Sequence, residues 1–117
     1  MIRQGEIYWV DLGEPSGSAP GLLHPFVVVQ NDLFNRSRIG TVVACSVTSN
    51  LERAEAPGNV LLAAREGGLR KTSVVNVSQI FTLDKNDLGK RVGILSSARL
   101  HEILSGIALL LEPRDIK

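Results

Sequence analysis

Short hydrophobic runs alternate with turn-forming residues through the first two thirds of the chain. The runs are rich in β-branched and aromatic residues and are separated by Gly, Pro, Asn and Asp, a pattern typical of short strands joined by turns. It predicts five or six strands, at residues 6–12, 25–30, 41–48, 60–62, 73–83 and, as a short last one, 90–94. Residues 31–38 are interpreted as a turn or a single helical turn, and residues 13–23, rich in Gly and Pro, as a long loop.

After residue 96 the hydrophobic period changes from two to about 3.6 residues. The apolar residues that recur at this spacing are Leu100, Ile103, Leu104, Ile107, Leu110 and Leu111. Ser96 or Ser97 can cap the helix, and Pro113 marks its end. Since the pattern provides no helices as crossovers between parallel strands, it predicts a mainly β (α+β) fold, a small barrel with one C-terminal amphipathic helix, in a single domain over residues 1–117.

The long strand at residues 73–83 carries polar residues in its middle. Side chains alternate between the two faces of a strand. Strict alternation would direct Val75, Val77 and Gln79 to one face and Val74, Asn76, Ser78 and Ile80 to the other. The second face would then be polar in its centre, as the wall of a cleft is.

Composition narrows the class of protein. The chain has 117 residues, 44% of them hydrophobic, and its 13 basic and 12 acidic residues give a formal net charge of +1. These values are typical of a soluble globular protein and argue against non-specific coating of nucleic acid or of an anionic membrane. No apolar stretch approaches the roughly 20 residues of a membrane helix, and the N-terminal segment lacks the apolar core of a signal peptide. We therefore expect a cytoplasmic protein without a membrane partner.

The chain offers few residues for chemistry. Cys45 is the only cysteine, and one cysteine with two histidines makes neither an intrachain disulfide nor a good zinc set, so no metal or cofactor is expected. The common nucleotide-binding, metalloprotease and serine-hydrolase motifs do not occur. The best constellation is His24, Thr48 and the Asn76 and Ser78 face, which meet only if a barrel brings those strand ends together. Taken singly, His24 is more simply explained as a surface or capping histidine, Thr48 as a β-forming residue at a strand end, and Asn76 and Ser78 as half-exposed strand residues.

Four segments resemble the MazF/PemK (Kid) toxins of type II toxin–antitoxin systems: GEIYWVDLGEPSGSAPGLLHPFVVVQND, VVACSVTSN, PGNVLL and KTSVVNVSQIFTLDKNDLGKRVG. Together they span essentially the whole chain. The combination of the first strand, the PxxVxQND turn, the VTSN strand end and the SVVNVSQI strand is specific. The resemblance implies a small SH3-like, partly open β-barrel with a C-terminal helix, the fold shared by MazF, Kid and CcdB toxins.

The resemblance also implies a sequence-specific, metal-independent endoribonuclease that cleaves single-stranded RNA, chiefly mRNA. In that reaction the 2′-hydroxyl attacks the adjacent phosphorus, leaving a 2′,3′-cyclic phosphate and a 5′-hydroxyl, which requires proton transfer and donors that stabilise negative charge. The implied partners are a MazE-like antitoxin and a second copy of the chain in a homodimer. RNA would lie in the dimer seam with the loop at residues 13–23 as a cover, and DNA would be bound only indirectly, through an antitoxin complex.

Carried over residue by residue, the family's catalytic threonine falls on Thr48, and its catalytic arginine, in the RPVLVIQ-type motif, falls on His24. Arginine is permanently charged and can bind a phosphate with two N–H groups, whereas histidine, with an ordinary pKa of about 6.5, is mostly neutral at pH 7 but transfers protons well. Either His24 acts as an acid or base while a neighbouring cation such as Lys71 or Arg36 holds the phosphate, or activity is weakened.

A second departure from the family lies in the long strand. Ser78 stands where the family commonly has an acidic residue before the glutamine that is Gln79 here, so no carboxylate base is available at that position. Tyr8 or Trp9, on opposite faces of the first strand, could be a stacking platform for a base, or both could pack inside. The side chains expected to contact RNA are Gln30, Asn31, Arg36, Ser49, Asn50, Lys71, Asn76, Ser78 and Gln79.

Two other functions remain alternatives on the sequence alone. A toxin of the same fold that binds gyrase, as CcdB does, would cleave no RNA, and the pair of His24 and Thr48 favours cleavage over that function. A weakly active or non-catalytic member that binds an antitoxin is the second alternative. The departures at His24 and Ser78 are the reason to keep it.

Overall fold

Six antiparallel strands form one curled sheet in the computed structural model, which describes residues 1–13 and 23–114. The strands are β1 Glu6–Asp11, β2 Leu23–Val28, β3 Thr41–Thr48, β4 Val60–Leu62, β5 Ser73–Asp84 and β6 Leu88–Ile94, in the order β4-β5-β3-β2-β1-β6 across the sheet. Helix α1, Asp32–Asn35, follows β2, and helix α2, Ser97–Leu110, follows β6. Short 3₁₀ turns lie at Leu51–Glu55, Glu66–Gly68 and Lys85–Asp87.

The predicted mainly β fold with a C-terminal helix is confirmed, and most strand bounds agree closely with the prediction. β3 and β4 have the predicted bounds, and β5 is one residue longer. β2 begins at Leu23, earlier than predicted, because it pairs with β1 as far as Asp11. His24, which the sequence places at the end of the loop, is therefore a strand residue opposite Val10.

Hydrophobic side chains cover both faces of the sheet. One cluster, on the face against α2, includes Ile7, Val27 and Ile103, and the cluster on the other face includes Phe26 and Val28. Successive residues of β2 thus enter different clusters, as alternation in a strand requires. The uninterrupted apolar run of β2 is explained by its burial on both sides.

The 3₁₀ turn at Glu66–Gly68 closes the sheet into a partly open barrel by packing against β6, the opposite edge strand. A Cβ atom on Gly68 would overlap the backbone carbonyl of Val92, and one on Gly93 would overlap the backbone of Gly67. Gly67 and Gly68 also have φ values of 63° and 83°, which side chains disfavour. Closure therefore depends on a backbone-to-backbone contact that only glycine permits.

Strict alternation along β5, predicted from the sequence, is wrong at residues 76–79. The register between β3 and β5 shifts at Ser46, where residues 76–79 lie opposite a single residue. Oε1 of Gln79 accepts hydrogen bonds from Ser46 Oγ at 2.7 Å and from Asn76 Nδ2 at 3.4 Å, although alternation would separate Asn76 from Gln79. The bulge turns these amides into an internal polar network rather than a cleft wall.

Helix α2 begins where the sequence predicts and packs closely on the segment before β4. Ser96 caps it, with its Oγ accepting the N–H of Arg99 at 3.2 Å. A Cβ atom on Gly106 would overlap the carbonyl oxygen of Gly58, so the two backbones are in direct contact. Among the described residues no helix is both long enough and apolar enough to cross a membrane.

Replacing Gly106 by alanine tests this contact. Alanine favours a helix, but its Cβ would overlap the Gly58 backbone, which cannot move as a side chain could, so Gly106→Ala is expected to lower the free energy of unfolding by about 1–3 kcal/mol. Ser105→Ala, on the exposed neighbouring position, should change it by less than about 0.5 kcal/mol. Urea unfolding followed by circular dichroism measures both variants. A Gly106→Ala protein as stable as wild type would contradict the packing described here.

Candidate active site

A cavity of about 520 Å³ lies at the end of the barrel where β2 and β3 separate. Its walls come from β1, the ends of β2 and β3, the segment between the Glu66–Gly68 turn and β5, and β6. The lining residues are Trp9, His24, Pro25, Val47, Thr48, Ser49, Gly68, Leu69, Arg70, Lys71, Ser73, Lys90, Arg91 and Val92. Four of the predicted site residues are thus brought together: His24, Thr48, Ser49 and Lys71.

The register of β2 and β3 brings His24 and Thr48 to the same wall. Phe26 and Ser46 are the last paired residues of the two strands, and two positions further along lie His24 and Thr48. Pro25, between them, has no N–H to donate, so the ladder loses a hydrogen bond at this point. The strands part there, and an imidazole and a hydroxyl are left facing the opening.

His24 is partly buried, and its ring is held in an apolar setting. The imidazole meets the ring of Phe26 edge to face, with centroids 5.7 Å apart. Burial lowers the pKa of His24 below its ordinary value of 6.5, and a hydrogen bond to the backbone of Val47 offsets only part of that shift. His24 is therefore neutral at pH 7 and can accept a proton.

The hydroxyl oxygen of Thr48 already accepts one hydrogen bond. Its Oγ1 accepts the backbone N–H of Asn50 at 3.1 Å, and the Asn50 side chain in turn accepts the N–H of Glu52 and caps the Leu51–Glu55 turn. The hydroxyl hydrogen of Thr48 has no partner among the described residues and is available to a ligand. Asn50, predicted to contact RNA, orients Thr48 instead of lining the cavity.

The rim of the cavity is positively charged. Arg70, Lys71 and Lys90 are exposed there, and within the described residues none of them pairs with a carboxylate. Arg91 differs, because its Nε lies 2.6 Å from Oε2 of the buried Glu6. The described lining includes no Asp or Glu, so the cavity favours an anion.

Three candidates are grouped around α1 and do not line the cavity. Gln30 Nε2 donates to Oδ1 of the buried Asn35 at 2.9 Å, and Asn31 caps α1 by accepting the N–H of Leu33 at 2.8 Å. Arg36 is exposed at the end of the helix. The hydrogen bonds of Gln30 and Asn31 stabilise the turn after β2. Of the two cations that were candidates to hold the phosphate beside His24, Lys71 lines the cavity and Arg36 does not.

The remaining candidates lie on β5 outside the cavity lining. Asn76 is buried, with its Oδ1 accepting from Asn59 Nδ2 at 2.9 Å, and Gln79 accepts from Ser46. Ser78 is exposed on the strand. The bulge at residues 76–79 is the physical reason that the middle of β5 does not form the polar wall expected from alternation, and within this strand only Ser73 lines the cavity.

Sequence reasoning missed Arg70 and Lys90, and it left the choice between Tyr8 and Trp9 open. The excess of basic residues in the second half of the chain was the available signal for the two cations. Of the two aromatic residues, Trp9 lines the cavity, whereas Tyr8 packs against the Phe26 cluster.

The loop that was predicted to cover the site can be described only at its ends. Residues 14–22 of the loop predicted to cover the site lie outside the described residues. Within the described ranges, no group of three or more His, Cys, Asp and Glu side chains could hold a metal ion.

The sequence matches a known protein family and its fold matches solved structures. Residues 3–111 match the family described as the PemK-like, MazF-like toxin of type II toxin–antitoxin systems. The chain is 46% identical over 112 residues to endoribonuclease MazF2 of Mycobacterium bovis, covering 96% of this chain and 98% of that protein. It is 34% identical over 117 residues to endoribonuclease MazF of Staphylococcus saprophyticus, covering 100% and 97%. An endoribonuclease solved in complex with its cognate antitoxin, from a mycobacterial species, has a TM-score of 0.79 at 28% identity over 98% of this chain and 100% of that one.

The titration of His24 tests the electrostatics of the cavity. Because burial disfavours the charged ring, the pKa of His24 in the folded protein should lie below 6.5. As pH falls, the unfolded chain therefore binds this proton before the folded protein does, and the free energy of unfolding decreases. NMR of imidazole-labelled His101→Gln protein, in which His24 is the sole histidine, measures the midpoint directly. A midpoint at or above 6.5 would show that the ring is not desolvated as described.

Proposed function

Because the chain belongs to the PemK-like, MazF-like toxin family of type II toxin–antitoxin systems, we propose that its cavity is the active site of an endoribonuclease. The observation that carries the proposal is the pairing of a neutral imidazole, His24, with a donor hydroxyl, Thr48, beneath a cationic rim. The substrate is single-stranded RNA, chiefly mRNA, because the bases of an unpaired strand can unstack and enter a cavity, which the bases of a duplex cannot do.

His24 is proposed to start the reaction as general base. The imidazole takes the proton of the 2′-hydroxyl, the 2′-oxygen forms a bond to the adjacent phosphorus, and the bond between phosphorus and the 5′-oxygen breaks. The departing 5′-oxygen takes a proton from solvent, leaving a 2′,3′-cyclic phosphate and a 5′-hydroxyl. The lowered pKa supports this role, since the ring is already deprotonated at neutral pH.

Thr48 and Lys71 are proposed to stabilise the charge that builds up on the phosphate. The Asn50 N–H occupies an acceptor site of Thr48 Oγ1, which orients the hydroxyl hydrogen for a non-bridging phosphate oxygen. Lys71, which also lines the cavity, supplies the positive charge that the family's arginine would supply at position 24. In this proposal His24 transfers the proton while Thr48 and Lys71 stabilise the charge, and neither step uses a metal ion.

The proposed partners are a MazE-like antitoxin and a second copy of the chain, in the cytoplasm. The structural neighbour that was solved with its cognate antitoxin supports the first. Exposed apolar residues support protein contacts: Leu109, Leu110 and Leu111 at the end of α2, and Leu33 and Phe34 on α1. In this proposal RNA lies in the seam of a homodimer, and DNA is reached only through the antitoxin complex.

Cleavage of a long single-stranded RNA in excess EDTA tests the proposed function. Wild type should cut at discrete sites and leave 2′,3′-cyclic phosphate and 5′-hydroxyl ends, whereas Thr48→Ala should lose roughly 10²–10³-fold in rate and His24→Ala roughly 10²–10⁴-fold. Mapping both ends of the fragments identifies the chemistry. If wild type cuts nothing, the chain is a binding member of the family; if both variants cut as fast as wild type, the site lies elsewhere.

The assignment of the phosphate-binding cation is tested separately. Lys71→Ala should lower kcat/KM by about 10-fold or more, since it removes a charged partner of the phosphate, and Lys71→Arg should retain most activity. Arg36→Ala is the matched control, because it removes an exposed cation outside the cavity, and it should change kcat/KM by less than about twofold. Equal losses in Lys71→Ala and Arg36→Ala would reduce the role of Lys71 to general surface charge.

A further inference from the structure

We propose that the cavity holds one unstacked base of the RNA, next to the cleaved phosphate, and that Trp9 is the surface on which this base stacks. This inference rests on the proposed endoribonuclease function and adds a residue that positions the substrate. It gives a role in base binding to the apolar part of the cavity, which takes no part in the proposed cleavage.

The cavity has two chemically different parts. One part of its lining is apolar, with Val47 and Leu69 buried and Trp9 and Pro25 half-buried, and the other part carries the proposed phosphate ligands. A volume of about 520 Å³ is in the range of pockets that enclose a single small molecule. A flat apolar group attached to a phosphate, which is what a nucleotide is, would fill both parts at once.

The indole of Trp9 is partly buried, and its neighbours in the sheet leave part of it accessible. The register between β1 and β6 shifts around Trp9, so that Gly89 and Lys90 together lie opposite it. Gly89 has no side chain, and its backbone touches that of Trp9, where an added Cβ would lie 2.8 Å from the carbonyl oxygen. On the β2 side the partner of Trp9 is the short ring of Pro25. At the bulge no side chain at position 89 covers the indole. Among the described residues, Trp9 and His24 are the aromatic rings that line the cavity.

Tyr8, the other aromatic residue of β1, is already engaged. Its hydroxyl donates to Oε1 of the buried Glu6 at 2.9 Å, and its ring packs on the cluster that contains Phe26. Burial and the Glu6 carboxylate raise the pKa of Tyr8 to about 12. Trp9, by contrast, donates no side-chain hydrogen bond to another described residue, so stacking is the interaction it offers.

Recognition in this pocket should depend on the presence of a base more than on its identity. Ser73, the polar residue deepest in the wall, donates its hydroxyl hydrogen to the carbonyl of Lys71 at 2.9 Å and so has no hydrogen left for a base edge. Every base has a face that stacks on an aromatic ring. The position bound by Trp9 should therefore tolerate base changes and not tolerate loss of the base.

A double-mutant cycle between protein and RNA tests the inference. A short RNA that contains one mapped cleavage site is prepared with an abasic nucleotide on either side of the cleaved phosphate, and with each alternative base there. In wild type, one of the two abasic RNAs should lose roughly 5- to 100-fold in kcat/KM, mostly through KM, while base changes at that position cost less. With Trp9→Ala the intact RNA should show the same loss, and the abasic penalty should disappear.

Two further measurements separate a stacking role from a structural one. Trp9→Phe, which keeps an aromatic face, should retain part of the abasic penalty, and Leu61→Ala, which removes an exposed apolar side chain outside the cavity, should leave the penalty unchanged. Trp9 is the only tryptophan, so its fluorescence in wild type should be quenched by the intact RNA with a 2′-deoxynucleotide at the cleavage site, and much less by the abasic version.

An abasic penalty of the same size in wild type and in Trp9→Ala would overturn the inference, as would fluorescence quenching that is identical for intact and abasic RNA. These results differ from failure of the proposed function. That failure would appear as absence of cleavage by wild type, and quenching of Trp9 by a mixed-sequence single-stranded oligonucleotide would then support the base pocket in a protein that does not cut.

Discussion

The pairing of β2 with β3 is the constraint on which the site depends. These strands run through the middle of the sheet with both faces buried, so their register is fixed by two hydrophobic clusters at once and cannot slip by one residue without exposing apolar side chains. The same register places His24 and Thr48 each two residues beyond the last pair, Phe26 and Ser46. Pro25 then ends the hydrogen-bond ladder between β2 and β3 just before the two functional side chains. The cavity opens at this point, where the two strands separate.

The sequence predicted the strands well because their signal is local. Runs of β-branched residues and the period of the C-terminal helix reflect interactions within a few residues, and β3, β4 and the start of α2 were obtained with correct bounds. The resemblance supplied His24 and Thr48 as a pair, and the structure accounts for their proximity. The bulges could not be predicted, because a bulge depends on partners far away in the chain: the amides of Asn76 and Gln79 turn inward to meet Asn59 and Ser46. Trp9 and Lys90 become neighbours of the site through a second such bulge.

The histidine at the position of the family's arginine changes how the site is organised. An arginine there would combine charge with hydrogen bonding in one rigid group. His24 carries no charge at neutral pH, since burial lowers its pKa, and it offers one N–H donor where arginine offers several, but it gains the ability to take a proton. The cations that line this cavity come from a different segment, just before β5, and from β6. Substitutions near residues 70, 71 and 90 thus bear on the same chemistry as substitutions at position 24.

The turn at Glu66–Gly68 has a consequence for the dynamics of the protein. This turn is held on β6 by glycine backbones, and the chain passes from it through buried Leu69 directly to Arg70 and Lys71. Lifting the turn from β6 would therefore separate the cationic wall from His24 and Thr48 while leaving the β2–β3 pairing intact. If the segment opens locally in the sense of native-state hydrogen exchange, the free energy of that opening, rather than that of unfolding the whole barrel, would set the fraction of molecules with an assembled site.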